Sequence, residues 1–388
     1  MIDFPAPDPA AQKLSAALCN VIREDITDSN GSIAFARYME RCLYEPGLGY
    51  YSAGLQKLGS GGDFVTAPEV SPLFGQCIAR SCSAVLASLG GGDILEFGAG
   101  SGRLALDLLA ALQHLDALPR RYLILERSAG LRQRQQETLR ENLPQLLDRV
   151  SWIDTLPGGD FRGVMLANEV LDAMAVERFQ WDGETARLFH VAFDGERFHW
   201  QLSNTQDDTT QQIASLCADC ELAAGYVSEI NAGLPGWLLA VGERLEQGLL
   251  LLIDYGYPRH EYYHPQHSNG TLMCHYRQRA HDDPFLWPGL QDITAHVDFT
   301  AVAEAAHAAG LDISGYTTQA GFLLDSGLDE LLQSAGPGDS VSYMRLAQQA
   351  KTLILPGEMG ERFKCIALTR GLDIGIPGFR LQDYRNRL

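Results

Sequence analysis

The residues best suited to chemistry are three glycines bracketed by acids. In ILEFGAGSGRL, Ile94 to Leu104, an apolar stretch carrying Glu96 runs into Gly98, Gly100 and Gly102 before a helical pattern begins. Glycine tolerates positive φ and lets a ligand lie against the backbone. A dinucleotide fingerprint would place glycine at position 103, for close packing of the helix near a pyrophosphate. Arg103 stands there instead. An acid two places before the first glycine is also a poor neighbour for a pyrophosphate. Both features count against a nicotinamide dehydrogenase, the chief rival reading, and favour a cationic ligand without phosphate. S-adenosylmethionine, with its ammonium and sulfonium, is such a ligand. Glu126 closes the next apolar stretch (YLILER) and can accept both ribose hydroxyls. Asp154 closes the following one (SWID) and can face the adenine amino group.

Acids at consecutive strand ends require a particular scaffold, since open α/β sheets bind ligands outside the carboxyl ends of their strands. The pattern predicts strands at Asp93–Phe97, Tyr122–Leu125, Val150–Ile153, Val164–Ala167 and Leu249–Ile253, with helices near 102–115, 128–142 and 232–246. This alternation implies an α/β fold, a doubly wound Rossmann-like sheet with parallel strands. Upstream, Pro9 to Ile26 is amphipathic and Ser32 is placed to cap a second helix reaching about Tyr44. Gly-rich punctuation from Pro46 to Gly62 precedes a helix over 68–89. Between the fourth and fifth strands, Val176–Trp181, Arg187–Phe193 and Arg197–Leu202 read as antiparallel strands, with turns at Asp182-Gly183 and Asp194-Gly195. After residue 254 come a Tyr/His/Pro-rich loop, a helix near 298–309, further helices and a last strand at Phe363–Thr369. The expected organisation is an N-terminal helical extension (1–62), a core (63–370) and a C-terminal tail (371–388). Within the core, 176–230 is an inserted β/helical segment and 255–290 a substrate loop.

Charge narrows the partners. The chain has 49 acidic and 30 basic residues, a net of −19. Nucleic acids and anionic membranes require Lys and Arg, so neither is an expected partner. Residues 154–230 hold fourteen Asp and Glu against four Arg, a net of −10. Such a field attracts a positively charged protein substrate. The longest apolar stretch, Gly248 to Ile253, is far below the ~20 residues of a membrane helix. The first twenty residues lack a basic region followed by an apolar run and are poor in Arg, so a cytoplasmic location is expected. Eight scattered cysteines read as reduced thiols. Cys217-x-x-Cys220 lacks a second ligand pair, and His260, His264, His267, His275 and His281 fit no zinc spacing, so no metal site is expected.

Further strings carry a family likeness: Tyr44-x-Pro46-x-x-Gly49-Tyr50-Tyr51, Gly62-Asp63-Phe64-Val65-Thr66-Ala67-Pro68-Glu69, and Glu96-Phe97-Gly98-Ala99-Gly100-Ser101-Gly102. Asn168-Glu169 with Leu171-Asp172-Ala173, Ile253 to Tyr257 (IDYGY), Asp292 to Phe299 (DITAHVDF) and Gly360 to Lys364 (GERFK) continue it in order. Over residues 30 to 370 the chain resembles the MidA-type family of S-adenosylmethionine-dependent methyltransferases, whose mitochondrial members assist assembly of respiratory complex I. The resemblance implies a class I methyltransferase fold. In the mitochondrial relatives it implies symmetric dimethylation of an arginine on a respiratory complex subunit. A small-molecule methyltransferase, or an S-adenosylmethionine-binding assembly factor that works by holding a partner, are the alternatives, because fold does not fix the acceptor.

If the acceptor is a guanidinium, it is protonated at neutral pH (pKa above ~12), so its attacking nitrogen must be oriented and relieved of a proton. Paired carboxylates suit that task. Glu169 and Asp172, with Asn168 beside them, follow the fourth strand one helical turn apart and are the catalytic candidates. The plainer reading of Asn168 or Glu169 is a helix cap. Thr66, Pro68 and Glu69 are expected to form a lid over the methionine end, or simply a helix start. Asp254, Tyr255 and Tyr257 are read as channel wall or packing. Asp298 reads as the N-cap of the helix it precedes, beside His296.

Overall fold

A computed structural model of the chain describes residues 4–53, 66–334 and 340–388. Gly54, Gly59, Gly61 and Gly62, the string Gly62-Asp63-Phe64-Val65, and the expected boundary at 62/63 lie outside the described residues.

The apolar stretches assemble into one sheet. Its main strands are β1 (Asp93–Phe97), β2 (Tyr122–Leu125), β3 (Val150–Ile153), β4 (Phe161–Asn168), β5 (Leu245–Tyr257), β6 (Asp312–Thr318) and β7 (Phe363–Arg370). They lie in the order β6-β7-β5-β4-β1-β2-β3. Neighbours from β5 to β3 run parallel, as the alternation with helices demands. β7 runs antiparallel to both β5 and β6, so the sheet is mixed rather than wholly parallel. The reason is local: β7 begins beside the end of β6, with Thr318 opposite Lys364. β6 itself was not expected, because DISGYTT holds few apolar residues and a glycine.

Period-two alternation divides the core. Along β5, Leu249, Leu251 and Ile253 face one layer, which includes the helices Pro72–Ser88 and Arg103–His114. Leu250 and Leu252 face the other, with helices Leu234–Gly242 and Phe299–Ala308. Residues 371–388 are no loose tail: Ile376 and Phe379 are buried in the first layer, and Tyr384 N–H donates to Tyr316 O at 2.6 Å.

The N-terminal helices Pro9–Asp28 and Phe35–Tyr44 pack on the inserted segment. Ser32 does not cap the second helix. Ser32–Ala34 is a strand paired antiparallel with His190–Ala192, and the Ser32 hydroxyl meets His190 Nδ1 at 3.2 Å. Sheet pairing has overridden a local capping preference. The helix that follows starts without a side-chain cap. The insertion holds the strands Glu177–Trp181, Ala186–Phe193 and Phe198–Leu202, a helix Asp208–Asp219, and an unexpected fourth strand, Val227–Ile230. Residues 255–290 are more ordered than a loop, with a short helix Arg259–Tyr262 and a hairpin of Met273–Tyr276 and Arg279–His281. Among the described residues, no helix is long and apolar enough to cross a membrane.

Candidate functional site

The carboxyl ends of β1, β2, β4 and β5, with residues 44–51, 66–69 and 292–294, enclose a cavity of about 190 Å³. Of the residues singled out in the sequence, Thr66, Pro68, Glu69, Glu96, Gly98, Gly100, Glu126, Asn168, Glu169 and Asp172 lie on its wall. Gly102 and Asp154 do not. Gly102 has φ +83°, and a Cβ there would come within 3.1 Å of Gln135 Cα, so its glycine serves the packing of two helices. Asp154 turns outward past the end of β3, where its carboxylate, 79% exposed, is captured by Arg132.

One side of the cavity is built from neighbouring strand ends. Glu96 is buried and accepts the Tyr122 hydroxyl at 2.6 Å. Burial pushes its pKa up to about 7, opposed by that hydrogen bond and aided by the charge of Glu126. Glu126 accepts Ser128 N–H at 2.9 Å and the Gln135 amide at 3.0 Å. The same amide donates to Gly100 O at 3.1 Å, and Gln135 Oε1 accepts the Trp152 indole at 2.9 Å. Gln135 therefore ties β2, β3 and the glycine loop together. Nothing in its polar helix sequence marked it. The Ser101 hydroxyl donates to Glu69, joining the short helix Ala67–Val70 to the loop.

The opposite side is assembled from distant segments. Beyond β4 the backbone of Glu169 turns left-handed, at φ +53°. Its N–H donates to Ile253 O at 2.9 Å. Asp254 Oδ2 accepts the next three amides, Val170, Leu171 and Asp172, at 3.2, 2.9 and 3.3 Å. Asn168 Nδ2 donates to Glu169 Oε1 at 3.2 Å. Burial raises the Glu169 pKa to about 8, and the charge of Asp172 adds to the rise. Asp172 is pushed to about 6, again by burial, with the nearby Tyr255 hydroxyl opposing. Asn168 Oδ1 and Asp172 Oδ1 are buried and find no hydrogen-bond partner among the described residues.

Facing these acids is an aromatic wall from the N-terminal extension. Tyr44 and Tyr51 stack with ring centroids 5.5 Å apart. Tyr51 OH reaches both Asp292 oxygens at 3.0 Å, and Tyr44 OH donates to Ala173 O at 2.8 Å. Gly49 lets the chain double back here: a Cβ would sit 2.5 Å from Glu45 N. Tyr44, Tyr50, Tyr51, Asp292 and Thr294 were absent from the site expected by chemistry, although the family strings contained all five. Tyr255 lines the cavity, while Tyr257 packs outside it beneath Lys364 Nζ, 5.2 Å from its ring centroid. His296 packs between Tyr255 and Tyr257, and burial lowers its pKa to about 4, leaving it neutral. Asp298 caps helix Phe299–Ala308 through Thr300 and Ala301 N–H.

Among the described residues, six carboxyl groups reach the wall: Glu69, Glu96, Glu126, Glu169, Asp172 and Asp292. Arg103, also on the wall, is paired with Asp107 at 2.8 Å. A cavity of this charge favours cations and repels phosphates. Its glycine backbone and its two well-held acids at the ends of β1 and β2 fit S-adenosylmethionine on one side, and the carboxyl groups on the other can accept hydrogen bonds from a cationic group.

Comparisons with known proteins agree. The family described as "Putative S-adenosyl-L-methionine-dependent methyltransferase" matches residues 77–317. The chain is 28% identical to the protein arginine methyltransferase NDUFAF7, mitochondrial, of Danio rerio, over 87% of this chain and 83% of that one. It is 28% identical to the Drosophila melanogaster homolog, over 95% and 88%. A crystal structure of a "likely methyl transferase" from Burkholderia thailandensis, bound to S-adenosyl-homocysteine, is 44% identical, covers all of both chains and superposes with a TM-score of 0.95. The fly and zebrafish relatives are both named as mitochondrial, which overturns the cytoplasmic location expected from the N-terminal residues.

Proposed function

The chain belongs to this family of S-adenosyl-L-methionine-dependent methyltransferases, and from that premise we propose that its acceptor is an arginine side chain of a protein. The observation that carries the reading is the buried pair Glu169 and Asp172, opposite Tyr44 and Tyr51 in a cavity rich in carboxylates. Relatives named as protein arginine methyltransferases support it. So does the acidic excess of residues 154–230, which suits a basic protein substrate. A respiratory complex subunit, symmetrically dimethylated, is the substrate we assign from the family resemblance.

S-adenosylmethionine, when bound, supplies a methyl group on a sulfonium, which departs as a neutral thioether. Glu96 and the backbone of Gly98 and Gly100 hold its cationic end, and Glu126 holds the ribose. Thr66, Pro68 and Glu69 close over the loop, with Glu69 anchored by Ser101. Glu169 and Asp172 accept hydrogen bonds from the guanidinium and concentrate its charge on the nitrogens that do not react. Glu169, whose basicity burial has raised, takes the proton that must leave as the new N–C bond forms. The aromatic rings of Tyr44 and Tyr51 flank the cation. The insertion (176–230) and the segment 255–290 are the surfaces we assign to substrate selection.

The test is mass spectrometry of protein arginine methylation in cells lacking the gene, compared with the parent. At least one methyl-arginine should disappear and return with the wild-type gene, but not with Glu169→Gln. An unchanged methyl-arginine inventory would overturn the arginine reading. It would leave a small-molecule acceptor or a partner-holding role.

A further inference from the structure

Asp254 ends the buried run of β5, where the residues before it are all apolar. It is 1% exposed. A carboxylate in such a place is costly unless hydrogen bonds replace its lost water. Among the described residues, its hydrogen bonds come from four backbone amides: Val170, Leu171 and Asp172 on Oδ2, and Tyr255 on Oδ1 at 2.9 Å. Three successive N–H groups converging on one oxygen form an anion-binding nest, the arrangement that cradles anions in many ligand loops. Here the group in the nest is the protein's own carboxyl, whose pKa burial and the charges of Asp172 and Glu169 push well above the ordinary range, against the pull of its backbone hydrogen bonds.

The nest explains the conformation of its neighbour. β4 pairs with β5 up to Asn168 opposite Ile253. Glu169 N–H still bonds to Ile253 O, yet its φ is +53°, a region L residues enter only against local strain. A strand continuing straight would carry the amides of 170–172 away from Asp254. The left-handed turn at Glu169 brings all three onto the carboxylate, and Ala295 N–H then fastens Asp172 O at 3.1 Å. Glu169 immediately precedes the nest, and Asp172 supplies its last amide.

We infer that Asp254 is a positioning residue: by anchoring the amides of 170–172 it holds Glu169 in its left-handed turn and keeps Glu169 and Asp172 convergent on the acceptor. The inference rests on the reading that those two acids receive the acceptor. Asp254 is not on the cavity wall and acts through the backbone.

The test uses the full chain with Asp254→Ala and Asp254→Asn, alone and combined with Glu169→Gln. Three quantities are read: S-adenosylhomocysteine affinity, acceptor turnover, and hydrogen exchange of a peptide spanning 168–174. Asp254→Ala should lower acceptor kcat/KM by about 100-fold, the scale of an ångström-level misplacement, with S-adenosylhomocysteine Kd changed less than about twofold. The 168–174 amides should exchange at least about tenfold faster, since their buried acceptor is gone. Asp254→Asn keeps one acceptor oxygen and should recover at least about tenfold of the lost turnover. In the Glu169→Gln background either change should cost at least about threefold less than it does in the parent, because part of its effect is transmitted through Glu169. Parent-like turnover in Asp254→Ala, full additivity with Glu169→Gln, or cofactor affinity falling in step with turnover would each overturn the inference. If Asp254→Ala does not fold, the Asp254→Asn cycle decides: full additivity with Glu169→Gln, cofactor affinity falling in step with turnover, or 168–174 exchange equal to the parent's would each overturn the inference. Full turnover in Glu169→Gln alone would instead defeat the acceptor reading, and the exchange of 168–174 would still decide whether Asp254 holds the turn.

Discussion

The two sides of the cavity are made differently. On the cofactor side, Glu96 and Glu126 stand on adjacent parallel strands, and both carboxylates already have protein donors: Tyr122 for one, Ser128 and Gln135 for the other. On the acceptor side, the parts come from the N-terminal extension, the turn after β4, and the segment at 292–294. There Asp172 and Asn168 each keep a buried oxygen with no hydrogen-bond partner among the described residues, and the backbone is left-handed at Glu169. The first side is finished before any ligand arrives. The second, among the described residues, is less fully satisfied, and on the reading proposed above a cationic acceptor would supply the missing hydrogen bonds.

If that contrast is right, damage to each side should be separable. The largest effect belongs to Glu169→Gln, which should lower turnover by about 10²–10⁴-fold, the range for losing a general base. S-adenosylhomocysteine affinity, measured by calorimetry, should stay within about twofold of the parent; an equal loss of both would erase the distinction. Glu126→Ala is the mirror image. It should weaken S-adenosylhomocysteine binding by about 10–100-fold, the worth of hydrogen bonds to a charged group, while turnover at saturating donor falls far less. Tyr51→Phe removes the hydroxyl that meets Asp292 and should raise acceptor KM by about 5–30-fold, with donor KM unmoved.

The smallest effect is a displaced pH profile. Glu169 must be ionised to accept a proton and ionises near pH 8 in the free enzyme, so kcat/KM for the acceptor should climb as pH rises toward 8 and level above it. Burial is the main cause of that high value and the Asp172 charge is the next. Asp172→Asn removes the second cause and should move the rising limb to lower pH. A limb that stays in place would mean that the two acids do not share a site.

The same contrast marks where the sequence was readable. Glu96, Gly98, Gly100 and Glu126 declared themselves because strand, acid and glycine lie within a few residues of one another. Asp154 has the same local signature yet stands off the cavity wall, because the folded helix brings Arg132 to draw it outward. The acceptor wall is held by contacts such as Tyr51 to Asp292, 241 residues apart, which no local pattern encodes. Family strings preserved those residues without saying why. Asp254 was hidden for another reason: at the end of an apolar strand it looked like a wall or packing residue, and its partners are amides, which carry no side-chain signal. β6 and the Ser32–Ala34 strand were missed because edge pairing, not composition, makes them strands.

That short strand also fixes an order of events. Ser32 pairs with Ala192, and Phe35 packs on Trp200 with ring centroids 4.8 Å apart. A chain emerging from the ribosome therefore exposes Phe35 until the insertion is made, and Tyr38 and Tyr51 until their hydrogen-bond partners Pro284 and Asp292 follow. Contacts of such sequence separation form late, and apolar surface waiting for them is open to misassembly. The cofactor side, contained mostly within residues 93–168, waits only for β5 to complete its sheet. The acceptor side is therefore the later of the two to be completed in a growing chain.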